Sequence, residues 1–292
     1  MKKGVYTLMI TPFKSDYSLD EEAVRRIIRM QIEGGVQGVA PLGVTGENPL
    51  MDDDEKVRLV EVIVDEAKGK LSVIPDIVGV RVDKSIELMK RYADAGADAV
   101  MAYTPYLVLP REEGHLDYYT QLADASPVPI LLHSSKSRTG VELTADMTAK
   151  LAKHPNIIAT KDGNKQLDNL AKLVYLTKDD DFLVFTSKDT TAYPTAAFGG
   201  AGVFSVVANI IPEQMSKMIN LALEGKIEEA KQLHYDYFPV FEALRYETNP
   251  MPAKKALELM GIIEGTLRPP MQRLNTKNTE AIRQMLEERG LL

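Results

Sequence analysis

The sequence predicts an α/β protein, a (β/α)8 TIM barrel with a C-terminal helical extension. Eight apolar runs of strand length recur along the 292 residues, and amphipathic stretches with a helical period separate them. Such runs are typical of strands buried on both faces of a parallel sheet, and eight strand–helix units favour closure into a barrel. No Gly-x-Gly-x-x-Gly pattern follows the first run, which argues against an open dinucleotide-binding sheet.

The predicted strands and helices alternate in order along the chain. The strands are Val5–Thr11, Val36–Leu42, Leu71–Val78, Ala97–Tyr103, Val128–His133, Ile157–Lys161, Phe182–Thr186 and Gly202–Val207. The helices between them are Asp20–Glu33, Asp54–Lys68, Lys84–Ala95, Glu113–Ala125, Thr144–Lys153, Gln166–Leu176 and Thr190–Phe198.

Four further helical stretches follow the eighth strand, although one helix is enough to complete a barrel. They are Pro212–Leu223, Ile227–Leu244, Pro252–Met260 and Thr279–Arg289. We therefore predict a barrel over residues 1–224 and a C-terminal helical extension over residues 225–292. No low-complexity tract or linker separates the two.

Composition argues against several classes of function. The formal net charge is −7 and no basic block occurs, so a nucleic-acid partner is not expected. The absence of cysteine excludes disulfides, thiolate metal sites and cysteine nucleophiles, and fits a cytoplasmic location. The first apolar run, Val5–Ile10, is too short for a signal peptide or a membrane span, so no membrane association is predicted.

Lys161 is the most informative residue, because it ends the short apolar run that begins at Ile157. Burial disfavours the ammonium form, so an amine in such a place becomes a neutral nucleophile near pH 7. This is the chemistry of Schiff-base enzymes. The alternative is a lysine that extends to solvent or pairs with Asp162. Fully buried lysines are rare without a partner or a task, which favours the catalytic interpretation.

Other polar residues follow the predicted strands at the same end of the barrel, where TIM-barrel enzymes carry their active sites. The turn around Thr45 is flanked by glycines, and its hydroxyl and amides could hold a small carboxylate. His133 and Arg138 follow the fifth strand, and Lys188 follows the seventh. Taken singly, each has an ordinary alternative as a loop residue, a buried hydrogen-bonded histidine, a surface charge or part of a helix start.

Together these residues resemble the dihydrodipicolinate synthase and N-acetylneuraminate lyase family of class I aldolases. The resemblance runs over essentially the whole chain, in an order and spacing that are highly specific. Its motifs are Thr11-Pro12-Phe13, the Gly43–Glu47 turn, Pro105-Tyr106 with Pro110, Ser137-Arg138-Thr139-Gly140, Lys161, Gly199–Val203 with Ala208-Asn209, and Asn249-Pro250-Met251-Pro252.

The resemblance implies a barrel with a three-helix extension, assembled as a homotetramer built from tight dimers. It implies that Lys161 condenses with the keto group of pyruvate or another 2-keto acid. It also implies that Thr45, with the neighbouring amides of Val44 and Gly46, holds the keto acid carboxylate. The backbone of the eighth strand near Phe204 would line the same pocket.

Departures from the family pattern concern proton transfer. The synthases use two tyrosines and a threonine as a relay, and the matching positions here are His133, Leu107 and Val44. An imidazole moves protons near neutral pH at least as well as a phenol, so His133 is the predicted general acid and base. Arg138 matches the position at which the synthases bind the carboxylate of their aldehyde.

We therefore predict a class I lyase or aldolase that forms an imine between Lys161 and a 2-keto acid and makes or cleaves a carbon–carbon bond to an aldehyde. We expect this aldehyde to be carboxylated, with Arg138 and Lys188 holding its distal end. No metal or organic cofactor is expected. Alternatives are 4-hydroxy-tetrahydrodipicolinate synthase with an altered relay, and an aldolase or dehydratase of 2-keto-3-deoxy sugar acids. Outside catalysis, a keto acid binding or regulatory protein is the alternative. The replaced relay predicts slow synthase activity.

Overall fold

Parallel strands form the centre of the computed structural model, which describes residues 1–164 and 166–292. Within these residues the sheet has nine strands, all pairing in parallel in the order β3-β2-β1-β9-β8-β7-β6-β5-β4. The strands are β1 (Gly4–Leu8), β2 (Gly38–Ala40), β3 (Ser72–Val73), β4 (Asp76–Ile77), β5 (Val100–Tyr103), β6 (Ile130–Ser134), β7 (Ile157–Asp162), β8 (Leu183–Thr186) and β9 (Gly202–Ser205).

The two end strands of this order, β3 and β4, are halves of one predicted strand, Leu71–Val78. Pro75 lies between them and has no N–H to donate, which interrupts the ladder. The segment still bonds to both neighbours, since Ile74 N donates to Val39 O at 2.9 Å and Met101 N donates to Pro75 O at 3.0 Å. The sheet therefore closes on itself, and the predicted barrel is confirmed.

Helices surround the barrel and extend beyond it. In the described residues they are α1 (Glu21–Glu33), α2 (Asp53–Ala67), α3 (Val82–Asp94), α4 (Glu112–Ala125), α5 (Lys136–Thr139), α6 (Ala145–Leu151), α7 (Leu167–Leu176), α8 (Ala192–Ala197), α9 (Pro212–Leu223), α10 (Ile227–Ala243), α11 (Met251–Leu259) and α12 (Thr276–Glu288). α9 packs on β1, α10 packs along α9, and α11 packs against α12. None of the helices described is both long enough and apolar enough to cross a membrane.

Helix starts follow capping residues in the sequence. Asp20 accepts a hydrogen bond from the amide of Ala23 at the start of α1. Asp52 and Glu55 form a reciprocal capping box at the start of α2. The short helix α5 was not predicted, and it ends at Gly140 in the left-handed conformation that glycine adopts at low cost.

Apolar side chains divide between two cores, because successive residues of a strand point to opposite faces. The larger core lies between the sheet and the helices. The smaller core fills the barrel interior with Tyr6, Leu8, Ala40, Ile74, Ala99, Met101, Leu131, Ala159, Phe185, Ala201 and Phe204. Two residues beyond Ile74, Met101, Leu131 and Ala159, the next inward positions are Asp76, Tyr103, His133 and Lys161. The apolar interior thus gives way to a polar layer at the C-terminal end of the barrel.

Candidate active site

A cavity of about 370 Å³ opens above this polar layer. Of the residues predicted to bind or transform substrate, its wall contains Val44, Thr45, His133, Arg138, Lys161 and Lys188. The wall also contains side chains of the C-terminal extension, namely Phe241, Leu244, Arg245 and Asn249. The extension therefore helps to shape the site.

Lys161 and His133 meet inside the cavity because they are paired residues on the neighbouring strands β7 and β6. Lys161 is only 5% exposed, and its Nζ makes a short hydrogen bond with Nε2 of His133. Burial lowers the pKa of Lys161 to about 7, although the carboxylate of Asp76 opposes this effect. The lowered pKa makes the neutral, nucleophilic amine accessible near neutral pH.

Asp76 completes this group, and the sequence analysis missed it. Its Oδ1 lies 3.1 Å from Nδ1 of His133, and its side chain is fully buried. Burial raises the pKa of Asp76 well above its usual range and lowers the pKa of His133 well below its own. A single acidic residue two positions after the inward-facing Ile74, within an apolar strand, was the signal that could have revealed it.

Tyr103 is the second residue that was missed. It pairs with His133 across β5 and β6, and the centroids of the two rings lie 3.6 Å apart at an angle of 39°. Burial raises the pKa of Tyr103 well above its usual range, and a backbone hydrogen bond from Val44 opposes this. The structure thus places a phenol beside His133, whereas Leu107, at one of the matching relay positions, is 87% exposed.

The turn around Thr45 presents hydrogen-bond donors to the cavity. Asn249 Nδ2 donates to Thr45 Oγ1 at 2.9 Å, so the hydroxyl hydrogen of Thr45 is left to donate elsewhere. No backbone carbonyl in the described chain accepts from the amide of Thr45, whereas the amide of Val44 is directed at the hydroxyl of Tyr103. Gly46 lies outside the cavity wall, and its amide donates to the carbonyl of Gly43 at 3.1 Å.

Glu47 fixes the end of this turn to the C-terminal extension. Its carboxylate forms a buried ion pair with Lys254, and its Oε2 accepts a hydrogen bond from the amide of Arg268 at 3.1 Å. Burial lowers the pKa of Lys254 to about 8, and the charge of Glu47 opposes that effect. The position of the donors around Thr45 therefore depends on helix α11.

Arg138 extends from α5 into the cavity wall and is exposed. Glu47 and Asp162 are acidic residues that could pair with it, but both are engaged elsewhere. Glu47 pairs with Lys254, and Asp162 accepts from the amide of Asn164 at 2.6 Å. Within residues 1–164 and 166–292, no acceptor bonds the guanidinium of Arg138, which leaves it available to an anion. The charge of Lys188, also in the wall, contributes to the lowered pKa of Lys161.

Phe204 lies below the cavity rather than in its wall. It is fully buried in the inner core, stacked on Tyr6 at 5.0 Å and edge-on to Phe185 at 5.3 Å. The residue of this segment that reaches the wall is Val206, two positions further along. The side chain of Phe204 therefore has a packing role, and contact between the strand backbone near Phe204 and the keto acid remains a prediction.

Asp189 is a partly buried acid of the wall that the sequence analysis did not single out. Burial raises the pKa of Asp189 to about 6. A hydrogen bond that Ser205 Oγ donates to Oδ1 at 2.5 Å has the opposite effect and lowers this pKa. Its Oδ2 accepts from the amides of Val206 and Val207 at 3.3 and 3.4 Å. These bonds give Asp189 a structural role, since they tie the loop after β8 to the end of β9.

This arrangement suits the attack of an amine on a carbonyl group. It combines a buried amine that is partly neutral, an imidazole in direct contact with it, donors for a carboxylate at Thr45 and a cation at Arg138. Each of these parts has a place in Schiff-base catalysis.

Comparisons with known proteins agree with this geometry. The chain matches the model of the family described as Dihydrodipicolinate synthetase family over residues 1–289. The 4-hydroxy-tetrahydrodipicolinate synthase of Methanothrix thermoacetophila is 38% identical over 289 residues, which cover 98% of this chain and 96% of that protein. The enzyme of the same name from Methanocaldococcus jannaschii is 37% identical, and the aligned region covers 100% of both proteins.

Solved structures of dihydrodipicolinate synthases are also similar to this chain over its full length. Dihydrodipicolinate synthase from Thermotoga maritima superposes with a TM-score of 0.97 at 35% identity, with 100% of both chains covered. The chloride-inhibited dihydrodipicolinate synthase of Acinetobacter baumannii, solved in complex with pyruvate, also has a TM-score of 0.97, at 29% identity and with 100% of both chains covered.

Proposed function

Because this chain belongs to the dihydrodipicolinate synthetase family, whose members are pyruvate-dependent class I lyases, we propose that it forms an imine between Lys161 and a 2-keto acid and makes or cleaves a carbon–carbon bond to an aldehyde. The single observation that carries this proposal is the buried amine of Lys161, with a pKa of about 7 and in contact with His133.

The proposed reaction begins when the neutral amine attacks the keto carbon and the carbonyl π electrons move to oxygen. His133 accepts the proton that Nζ loses and gives it to the alkoxide oxygen, which forms the carbinolamine hydroxyl. A second proton, supplied by water, lets that hydroxyl leave as water and leaves the iminium on Lys161. The resulting iminium withdraws electrons, so a proton is lost from the adjacent carbon and an enamine forms. The enamine carbon attacks the aldehyde carbon, whose oxygen takes up a proton, and water then releases the product from Lys161.

Pyruvate is the proposed keto acid, since a solved relative is described in complex with it. The donors around Thr45 would hold its carboxylate, which places the keto carbon near Nζ. Because the amine itself provides the electron sink, neither a metal nor an organic cofactor is part of the proposal.

The most specific candidate for the overall reaction is the one in the relatives' names, 4-hydroxy-tetrahydrodipicolinate synthase. This candidate is supported by the identities of 35–38% and by Arg138, whose fork suits the carboxylate of aspartate semialdehyde. It requires that His133 and Tyr103 take over the missing relay, and Tyr103 supplies a phenol beside His133 in support of this.

A second candidate is an aldolase or dehydratase of 2-keto-3-deoxy sugar acids that works through the same imine. The replacements at Val44, Leu107 and His133 favour it, since they remove the hydroxyls that the synthases use. A keto acid binding protein is less well supported, because binding alone does not need an ionisable side chain in contact with the amine.

The test is a screen of aldehydes with the purified protein and pyruvate. Aspartate semialdehyde, neutral aldehydes of similar length and 2-keto-3-deoxy sugar acids would be compared by kcat/KM. Highest activity with aspartate semialdehyde supports the synthase, and highest activity with a sugar acid supports the second candidate. Absence of turnover with every substrate would support the binding protein.

Assembly as a homotetramer built from tight dimers, in the cytoplasm, is also part of the proposal and rests on the family resemblance. The loop beyond β5 offers some support, because Leu107, Val108 and Leu109 are 87%, 58% and 63% exposed. Sedimentation analysis of the purified protein would test the tetramer directly.

A further inference from the structure

Asp76, His133 and Lys161 form a continuous row of hydrogen bonds across the buried polar layer. Nδ1 of His133 contacts Oδ1 of Asp76, and Nε2 of the same ring contacts Nζ of Lys161. The exposed fraction of these side chains is 5% or less. The histidine is therefore bonded at both ring nitrogens by groups that can each hold or release a proton.

The chemistry of a neutral imidazole couples the two hydrogen bonds. Such a ring has one N–H donor and one acceptor, so the direction of the bond to Asp76 determines the direction of the bond to Lys161. When Asp76 is protonated, it donates to Nδ1, and Nε2–H then points at the lone pair of a neutral Lys161. When Asp76 is ionised, Nδ1–H donates to it, and Nε2 accepts a hydrogen from Nζ.

Two proton shifts interconvert these states. One proton moves from Asp76 to Nδ1, and another moves from Nε2 to Nζ, so the net effect is transfer of a proton from the carboxyl to the amine. Each shift breaks one bond to hydrogen and forms another, and no electrons leave the row. Both forms carry zero net charge, which limits the cost of holding three ionisable groups in a buried layer.

We propose that Asp76 is a positioning residue that exchanges a proton with His133 during imine formation, so that the row of Asp76, His133 and Lys161 carries the first chemical step. This inference rests on the proposed Schiff-base function. It adds a residue that the family resemblance did not point to and that complements the imidazole at this position.

Asp76 fits the row closely. A Cβ atom on Gly43 would lie 2.6 Å from Asp76 Oδ2, so glycine at that position makes room for the carboxyl group. Oδ2 has no hydrogen-bond partner among the described residues, so the main polar contact of the side chain is the bond to His133. A carboxyl buried only for packing would be expected to have both oxygens bonded, because an unpaired buried oxygen is destabilising.

The charged groups around Asp76, His133 and Lys161 affect how the rate of imine formation depends on pH. The charged side chains that shift the pKa of Lys161 are Asp76, Asp162, Arg138 and Lys188. The charge of Asp76 in turn raises the pKa of three phenols, those of Tyr92, Tyr103 and Tyr119. Of the charged side chains, Asp76 is the largest source that raises the pKa of Lys161. Replacing its carboxyl by an amide should therefore lower the pKa of Lys161 further.

The experiment compares Asp76→Asn with wild type by the rate at which borohydride traps the pyruvate imine, measured from pH 5 to pH 9. The amide keeps the shape and can still accept from Nδ1–H, but it cannot exchange a proton. We expect the plateau rate to fall roughly 10²-fold, as for loss of acid–base assistance, and the acid limb to move to lower pH. Asp98→Asn is the matched control, since Asp98 accepts from the amide of Val73 at 2.8 Å outside the cavity wall and should leave both unchanged.

A second readout is independent of turnover. In protein labelled with ¹⁵N-histidine, the tautomer of His133 should change when wild type binds pyruvate, and it should stay the same in Asp76→Asn. A folded Asp76→Asn variant with the wild-type trapping rate, pH profile and tautomer would overturn the inference. Failure of wild type to trap any 2-keto acid would instead refute the proposed function on which it rests.

Discussion

Lys161 and His133 occupy paired positions on the adjacent strands β7 and β6, and their side chains form a hydrogen bond inside the barrel. Tyr103 pairs with His133 in the same way on β5. The parallel pairing of β5, β6 and β7 therefore places a phenol, an imidazole and an amine side by side, although they come from three distant segments of the sequence. The following predictions concern Lys161, His133 and the residues around them.

Replacing His133 by alanine should abolish turnover and leave imine formation measurable. The imidazole is in contact with Nζ, and loss of a general acid–base group typically costs about 10²–10⁴-fold in rate. Steady-state kcat and trapping by borohydride would be measured on the same preparation. His115→Gln is a suitable control because His115 is also buried but lies on α4. His133→Tyr should recover part of the activity, whereas an alanine variant with wild-type kcat would make His133 a packing residue.

Arg138→Ala should raise the KM for the aldehyde far more than the KM for the keto acid. Loss of a charge-assisted contact to a bound carboxylate typically costs roughly 2–5 kcal/mol when the other charge is left unpaired. Lys136→Ala provides the control, since Lys136 is an exposed cation on the same short helix and is absent from the cavity wall. Equal effects on both substrates, or good turnover with neutral aldehydes, would indicate a structural arginine.

Lys161→Met should stabilise the protein at pH 7, and the gain should shrink as the pH rises toward 10. The pKa of Lys161 is about 7 in the folded state and about 10.4 in an unfolded chain. Between these values the unfolded state binds more protons, so the stability of wild type increases with pH while the variant lacks this contribution. Below pH 7 both states are protonated and the penalty in wild type is largest.

The expected gain at pH 7 is on the order of 2 kcal/mol, because the lost hydrogen bond to His133 offsets part of the pKa contribution. Urea unfolding at pH 7, 8.5 and 10 would measure it. The control is Lys172→Met, which removes an exposed lysine on α7. A difference in free energy of unfolding that did not vary with pH would contradict the lowered pKa.

Phe204→Ala should lower stability without a specific effect on keto acid binding. The ring fills the inner core between Tyr6 and Phe185, and such a truncation typically costs about 3–5 kcal/mol. Phe204→Leu, which disturbs the core less, should retain the wild-type KM for pyruvate. Val206→Ala changes the cavity wall instead, and a larger effect of Phe204→Leu than of Val206→Ala on that KM would contradict the assignment.

Much of the fold could be predicted from the sequence, because buried parallel strands give continuous apolar runs that are easy to recognise. The third run was harder, since Pro75 divides it into two short strands while its backbone still closes the barrel. Short helices such as α5 have too few residues to show a hydrophobic period, so the sequence pattern does not predict them.

The site was predicted only in part. Lys161 and His133 were found because each stands at the end of a strand, where polar residues are conspicuous. Asp76 was overlooked inside an apolar run, although alternation from Ile74 points it inward. Phe204 was associated with the pocket through the family resemblance, and its side chain lies below the cavity, whereas Val206 reaches the wall. Which inward residue lies at the level of the cavity depends on the strand register, and sequence alone does not supply this.

The most direct test of the central claim is the mass of the peptide that carries Lys161 after incubation with pyruvate and borohydride. We predict the added mass of one reduced pyruvate on Lys161 and on no other lysine, and loss of the label in Lys161→Met. A label on a different lysine, or no label with any 2-keto acid tried, would contradict the assignment of Lys161 as the Schiff-base nucleophile.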